Sequence, residues 1–375
     1  MGRLSVGRKL MLIYLLDLSA VIFVSGILIN EKFIAIDFAR KELRGNAYIA
    51  DVRAALTDVA LLGAGVEARR AALPTHLVTL AAAESALGEG FKSAALNEAL
   101  RAALAVNVEL PSALDSSLAA TARVAQVAQA LESGTLLLTR VGNQSNLILD
   151  PDLDSYYTMS LVVSRYPELL EVAHGLRLRL EQSQRGGPPS AELRAHFAVL
   201  EGRLAASAKA IARDHAEAYA AGDLALREAL KPRELALLGA IDTFQNAALA
   251  ATALGSKASA SASARAYAAA AAAERALLLE VGQAWVTAGT RLDQLLQARI
   301  EASYRRMGLH LGTALALLLA ILAVVTLVAR SIARPLRHLA AVAEEVSLGG
   351  NAQLRAQGQG SDETAALLAG VTKPE

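Results

Sequence analysis

Cysteine is absent from this 375-residue chain, so neither a disulfide nor a thiolate metal site can hold any part of it together. Aromatic residues make up only 4% of it, and β-branched strand formers are scarce, which leaves little from which to build sheets. Charge of one sign is lacking as well: 37 Lys and Arg stand against 36 Asp and Glu, for a net charge of +1. A nucleic-acid partner would call for a basic face that this balance does not provide, so none is expected. What the chain does have is alanine and leucine, which lift the hydrophobic fraction to 54%. Both are strong helix formers. The expected fold class is all-α, packed by side-chain burial alone.

Two long apolar runs stand out. Residues 10–30 (LMLIYLLDLSAVIFVSGILIN) and 307–329 (MGLHLGTALALLLAILAVVTLVA) are each long enough to cross a hydrocarbon core of roughly 30 Å as a helix. The first exceeds the usual apolar length of a signal peptide, roughly 7–15 residues, and Val24-Ser25-Gly26 is a poor cleavage site buried inside the run. It is therefore read as an uncleaved anchor. Arg3, Arg8 and Lys9 precede it, and Arg330, Arg334 and Arg337 follow the second run. Two crossings put both ends on one side, and the positive-inside rule makes that side the cytoplasm despite Arg305 and Arg306. The expected layout is a cytoplasmic N-terminus (1–9), a first span (10–30), an outer domain (31–306), a second span (307–329) and a cytoplasmic module (330–375). In a Gram-negative cell the outer domain faces the periplasm. Asp17 and His310 lie within the spans, and ionisable residues there are functional candidates by default.

Heptad stepping recurs in the outer domain. Val124, Val127, Leu131, Gly134, Leu138, Val141, Ser145 and Ile148 form one stripe, and Leu278, Val281, Trp285, Ala288, Leu292 and Leu295 form another just before the second span. Such stripes bury against a partner helix at small crossing angles. Breaks are expected at Pro74, Gly88-Glu89-Gly90, Pro111, Gly186-Gly187-Pro188-Pro189 and Lys231-Pro232. The low-complexity run 255–275 should begin as loop and become helix.

The most polar and aromatic outer stretch is 143–171. There Asp150-Pro151 reads as a helix start, with Asp152 complementing the dipole. Alternating Asp150, Asp152 and Asp154 suggest calcium, but an EF-hand needs glycine and glutamate where Ser155 and Leu161 stand. No metal and no cofactor is expected. Asn146, Tyr156, Tyr157 and Arg165 are the candidate ligand-binding residues of this stretch.

After the second span, Ile332, Leu336, Leu339, Ala343 and Val346 form one seam, with Pro335 in the first turn of its helix. Gly349-Gly350 ends that helix. A polar connector leads to Ser361 as N-cap, then Asp362-Glu363 and a second seam of Thr364, Leu367 and Val371. Two short amphipathic helices of this kind cannot bury their stripes without a second copy. The arrangement resembles a HAMP domain, the relay module of bacterial transmembrane sensors. The shared features are Pro335 with Leu336 and Leu339, Gly349 fourteen positions on, and the Asp362-Glu363 pair. The resemblance implies a parallel four-helix coiled coil in a homodimer. Phe38 to Gly45, the stretch SNLILDPDLDSYY and the stretch RLDQLLQARIEASYRRM are similar to methyl-accepting chemotaxis proteins and related sensor kinases. That likeness implies an inner-membrane receptor for a periplasmic ligand or partner protein. No catalytic constellation, phosphoacceptor helix or nucleotide box is seen, so an enzyme is not expected. The alternatives are a sensor kinase or diguanylate cyclase lacking its output domain, and a regulatory subunit pairing with related full-length receptors.

Overall fold

The structure, a computed structural model, describes residues 6–109, 117–185, 190–253 and 259–347. Among these residues every regular element is a helix, as the composition requires. The α-helices are α1 (Val6–Gly63), α2 (Leu73–Phe91), α3 (Ala94–Glu109), α4 (Ser117–Gln144), α5 (Leu153–Ser160), α6 (Tyr166–Arg185), α7 (Ala191–Ala221), α8 (Leu224–Ala253) and α9 (Ala260–Ser347). Two compact units are distinguished: Ile36–Ile300, and the chain on either side of it.

Helix ends follow capping chemistry more than proline positions. Ser190 Oγ accepts from Leu193 N–H at α7, Asp223 Oδ1 from Leu226 N–H at α8, and Ser259 Oγ from Ala262 N–H at α9. Each satisfies a backbone donor that the first turn would otherwise leave unpaired. The break expected at Pro74 falls where a 3-10 turn, Glu67–Ala72, gives way to α2, and the proline lies in the first turn of that helix, where it lacks no bond. Two other expected breaks are corrected. Gly88 and Gly90 are helical, and α2 ends instead at Lys92, whose left-handed φ of 51° turns the chain. Pro232 sits inside α8. It is exposed, so the carbonyl it leaves unbonded is open to water, while Leu226, Leu230, Leu237 and Ile241 keep the helix on the core. Pro111 and the 186–189 cluster lie outside the described residues.

Between α5 and α6 a single π turn spans Leu161–Arg165, with Tyr166 N–H donating to Leu161 O. Pro167 explains it. Having no N–H, it cannot bond the Val163 carbonyl one α-turn back, and the ladder widens there.

Within Ile36–Ile300, α1 runs antiparallel to both α9 and α4. Going up α1, Asn46 meets Asp293, Arg53 meets Gly289 and Thr57 meets Gly282 of α9. Against α4, Gly45 meets Ser145, Leu56 meets Gly134 and Gly63 meets Val127. Gly134 belongs to the first expected stripe, and a Cβ there would stand 2.3 Å from Leu56 Cδ2. Its absence lets the two helices touch. Val127, Leu131, Leu138, Val141 and Ser145 of that stripe are buried, while Ile148 is exposed beyond the helix end. The second stripe is buried from Leu278 through Leu292, with the rings of Trp285 and Tyr166 tilted against each other at its centre, 6.1 Å apart. A fully buried leucine in such a core contributes about 2 kcal/mol by leaving water.

Outside that unit the pattern inverts. Leu12, Leu16 and Phe23 of α1, and Leu309, Leu317 and Leu327 of α9, are exposed, as are Asp17 and His310. Beyond the second apolar run the backbone is helical through Pro335, Leu336 and Leu339. Pro335 thus stands inside α9 rather than in the first turn of a separate helix, at the loss of one backbone bond. Gly349, Asp362, Glu363 and the second seam lie outside the described residues.

Candidate functional site

The segment 143–155 is built to deliver carboxylates inward. Asn146 ends α4 in the left-handed region, φ 71°, which asparagine tolerates better than most residues. Asp150 then turns extended, and its Oδ1 accepts from Asp152 N–H at 3.0 Å. The α5 helix begins at Leu153, two residues later than the Asp150-Pro151 reading placed it, because Asp152 itself is extended. The aspartates are therefore free of first-turn duty, apart from Asp154, whose Oδ1 accepts from Ser155 N–H.

They gather around Arg299 of α9. Its Nη1 donates to Glu42 Oε2 of α1 at 3.0 Å, its Nη2 donates to Asp150 Oδ1 and Ser155 Oγ, and its Nε lies 2.7 Å from Asp152 Oδ2. The Glu42 and Asp150 side chains are fully buried. One guanidinium thus ties α1, the 147–152 link, α5 and α9 into a single node. Two carboxylate oxygens there, Glu42 Oε1 and Asp150 Oδ2, have no hydrogen-bond partner among the described residues.

Three acids around one base cannot all stay ionised at no cost. Burial pushes the Glu42 carboxyl up to about 8, Asp150 and Asp152 add to the rise, and Arg299 opposes it. Burial also raises Asp150, against the Asp152 N–H and the Arg299 and Ser155 contacts. For Arg299, burial works downward, but Asp150, Glu42 and Asp152 outweigh it and hold the cation above its ordinary value. Near neutral pH the node holds a proton on Glu42. Chemically it is a clamp whose charge changes with proton uptake.

Other polar clusters line the same bundle. Asn46 Nδ2 donates to Gly289 O and Asp293 Oδ1, both at 2.9 Å. Between α6, α7 and α8, Tyr166 and Tyr219 hydroxyls lie 3.3 and 3.2 Å from the two ring nitrogens of His215. Tyr219 also donates to Glu234, which Lys231 contacts at 3.0 Å. Burial lowers His215 to about 4, so this histidine is neutral at pH 7.

The four ligand-binding candidates are partly dispersed. Tyr156 and Tyr157 meet edge to face at 5.2 Å, Tyr156 exposed and Tyr157 half-buried on the core. Arg165, carried by the π turn, reaches Asp214 of α7 at 2.7 Å beside Ser160. Asn146 serves the turn through its backbone. Sequence reasoning missed Arg299 and Glu42, although the signal was present. The stripe 278, 281, 285, 288, 292, 295 continues to position 299, and a charge on a core seam demands buried counter-charges.

No family model, curated protein or solved structure matches the chain.

Proposed function

We propose that the chain is a non-enzymatic transmembrane signal receptor of the bacterial inner membrane, with both ends cytosolic. Its outer helical unit takes up a stimulus, and a HAMP-like relay after the second span passes it on within a homodimer.

The observation that carries this reading is the contrast in burial. Residues 36–300 enclose their own core, whereas the apolar stretches around Leu16 and Leu317 leave their large side chains 70% and 65% exposed. Continuous apolar surface of that kind is unstable in water and is covered by lipid in a bilayer. Flanking arginines and lysines orient it. The relay motif Pro335, Gly349, Asp362-Glu363 supports the signalling part, as does its place in sequence directly after the second apolar run. Asp17 within the first run supports dimer pairing, since an intramembrane carboxyl calls for a hydrogen-bonding partner. Coupling requires an element with two packings that both ends can bias. The Arg299 node is our candidate for that element, because α9 leads from it in sequence into the second span.

Because the chain has no cysteine, single cysteines introduced along Met307–Ala329 give a clean crosslinking test. Disulfide dimers should form with a periodicity of about 3.6 residues. Absence of dimers at every register would refute the dimeric receptor.

A further inference from the structure

One cavity of about 300 Å³ lies within the Ile36–Ile300 unit, between α6, α8 and α9 and bordered by Ala64 just past the end of α1. Its apolar wall is Phe244, Leu180 and the alanines of the 264–271 segment. Its polar wall is Arg177, Glu181, Tyr267, Glu274 and Arg275. The volume would hold on the order of ten waters, enough for an organic acid of three or four carbons.

The polar wall is incompletely used. Glu181 Oε1 accepts twice from Arg177, from Nε at 2.9 Å and Nη2 at 2.6 Å. The third guanidinium nitrogen, Arg177 Nη1, is buried with no hydrogen-bond partner among the described residues. Glu274, only 1% exposed, stands with Oε2 3.5 Å from Arg177 Nε, and that oxygen too has no hydrogen bond. A buried donor and a buried carboxyl left open side by side are costly unless something bridges them. Half-buried Arg275 adds a second cation at the same wall.

Charge selects the class of occupant. Glu274 is pushed up to about 8, chiefly by burial, with Glu181 adding to the rise and Arg177 and Arg275 opposing it. At pH 7 its carboxyl is therefore a neutral donor, which leaves two arginines and one other carboxyl, Glu181, on the wall. His174, behind Arg177 on α6, is neutral there because burial lowers it to about 4. Tyr267 donates to Ser183 at 3.1 Å, and α8 and α1 contribute no charge to the wall. The surplus is one positive charge beside an apolar wall.

We propose that this cavity binds a small organic monocarboxylate, its oxygens accepting from Arg177 Nη1, Arg275 and the Glu274 carboxyl, its carbon chain on Phe244 and the α9 alanines. Its role as the stimulus site rests on the receptor reading; the binding itself does not.

The test is calorimetric titration of the full chain in lipid nanodiscs with butyrate, butyramide and butylammonium. Butyrate should bind saturably at one per chain, and both other probes at least tenfold more weakly. Butyrate affinity should fall by up to tenfold per pH unit above about pH 8, because ionising Glu274 adds a repelling charge. Glu274→Gln should keep the affinity and lose that pH dependence, and Arg275→Gln should weaken binding about tenfold. If Glu274→Gln does not fold, the three probes compared on the wild-type chain across pH decide the matter. No saturable butyrate uptake, equal binding of butyramide, or a Glu274→Gln profile like the wild type would overturn the site and leave the cavity to water. Nanodisc incorporation is scored separately. Incorporation without butyrate binding sinks the site alone, and butyrate binding by chain that stays soluble without lipid sinks the receptor reading alone.

Discussion

Arg299 shows how much one side chain can organise. Its guanidinium faces two fully buried carboxyls and a third at the surface. Removing it leaves those acids without a counter-charge, the situation in which a buried ion pair matters most. Arg299→Ala should lower unfolding stability by about 3 kcal/mol, read by urea titration in detergent from the emission of Trp285, the single tryptophan. Glu42 and Glu274 set the pH response. Both are raised to about 8, so the folded state holds their protons at pH values where the unfolded chain has released them. Stability is then lost as pH rises from the ordinary carboxyl range to about 8. His174 and His215, lowered to about 4, act the opposite way, adding stability as pH rises to about 6.5. Between about pH 6.5 and 8 the acids act alone, and the wild type should lose stability. Glu42→Gln should flatten that slope by up to about 1.4 kcal/mol per pH unit, measured as unfolding midpoint against pH.

Elements are decided by the face a residue occupies. Pro232 breaks nothing because it is on the water side of α8, whereas Pro167 on α6 forces a π turn upstream. Restoring the missing donor with Pro232→Ala should stabilise the bundle by about 1–2 kcal/mol, the gain in the helix being partly offset by a freer unfolded chain. Gly134 carries the reverse lesson. Gly134→Val would drive a side chain into Leu56, 2.3 Å from the new Cβ, and should cost about 1–3 kcal/mol by overpacking. Thermal unfolding of the two variants should shift in opposite directions.

For the whole molecule, the prediction is one of sidedness. A reporter fused after Glu375 should be active only in the cytosol, and the chain should resist extraction from membranes by plain buffer. An external reporter, or chain released without detergent, would end the receptor reading. Legibility across the molecule was uneven. Both heptad stripes could be read from spacing and are buried except at their ends, since helical periodicity is local and hydrophobic patterning repeats it. Pro74 marks a helix start as expected, whereas Pro232 misled, because a proline's effect depends on its position in the turn and on which face meets water. The seam reaching Arg299 implied buried counter-charges without saying which, and Asp150, Glu274 and the cavity beside Arg177 gave no sign of burial, since each depends on partners many residues away.

Composition and hydrophobic spacing by themselves determined that this chain is helical, that two of its stretches are long and apolar enough to cross a membrane, and where the seams of its bundle run. These are properties of a few turns of chain, and a few turns contain all the information needed. Which charges meet was decided only by the tertiary structure. Arg299 finds Glu42 and Asp150 across the bundle, and Glu274 finds Arg177. The strength of a buried charge is set by what surrounds it in space, which sequence neighbours do not reveal.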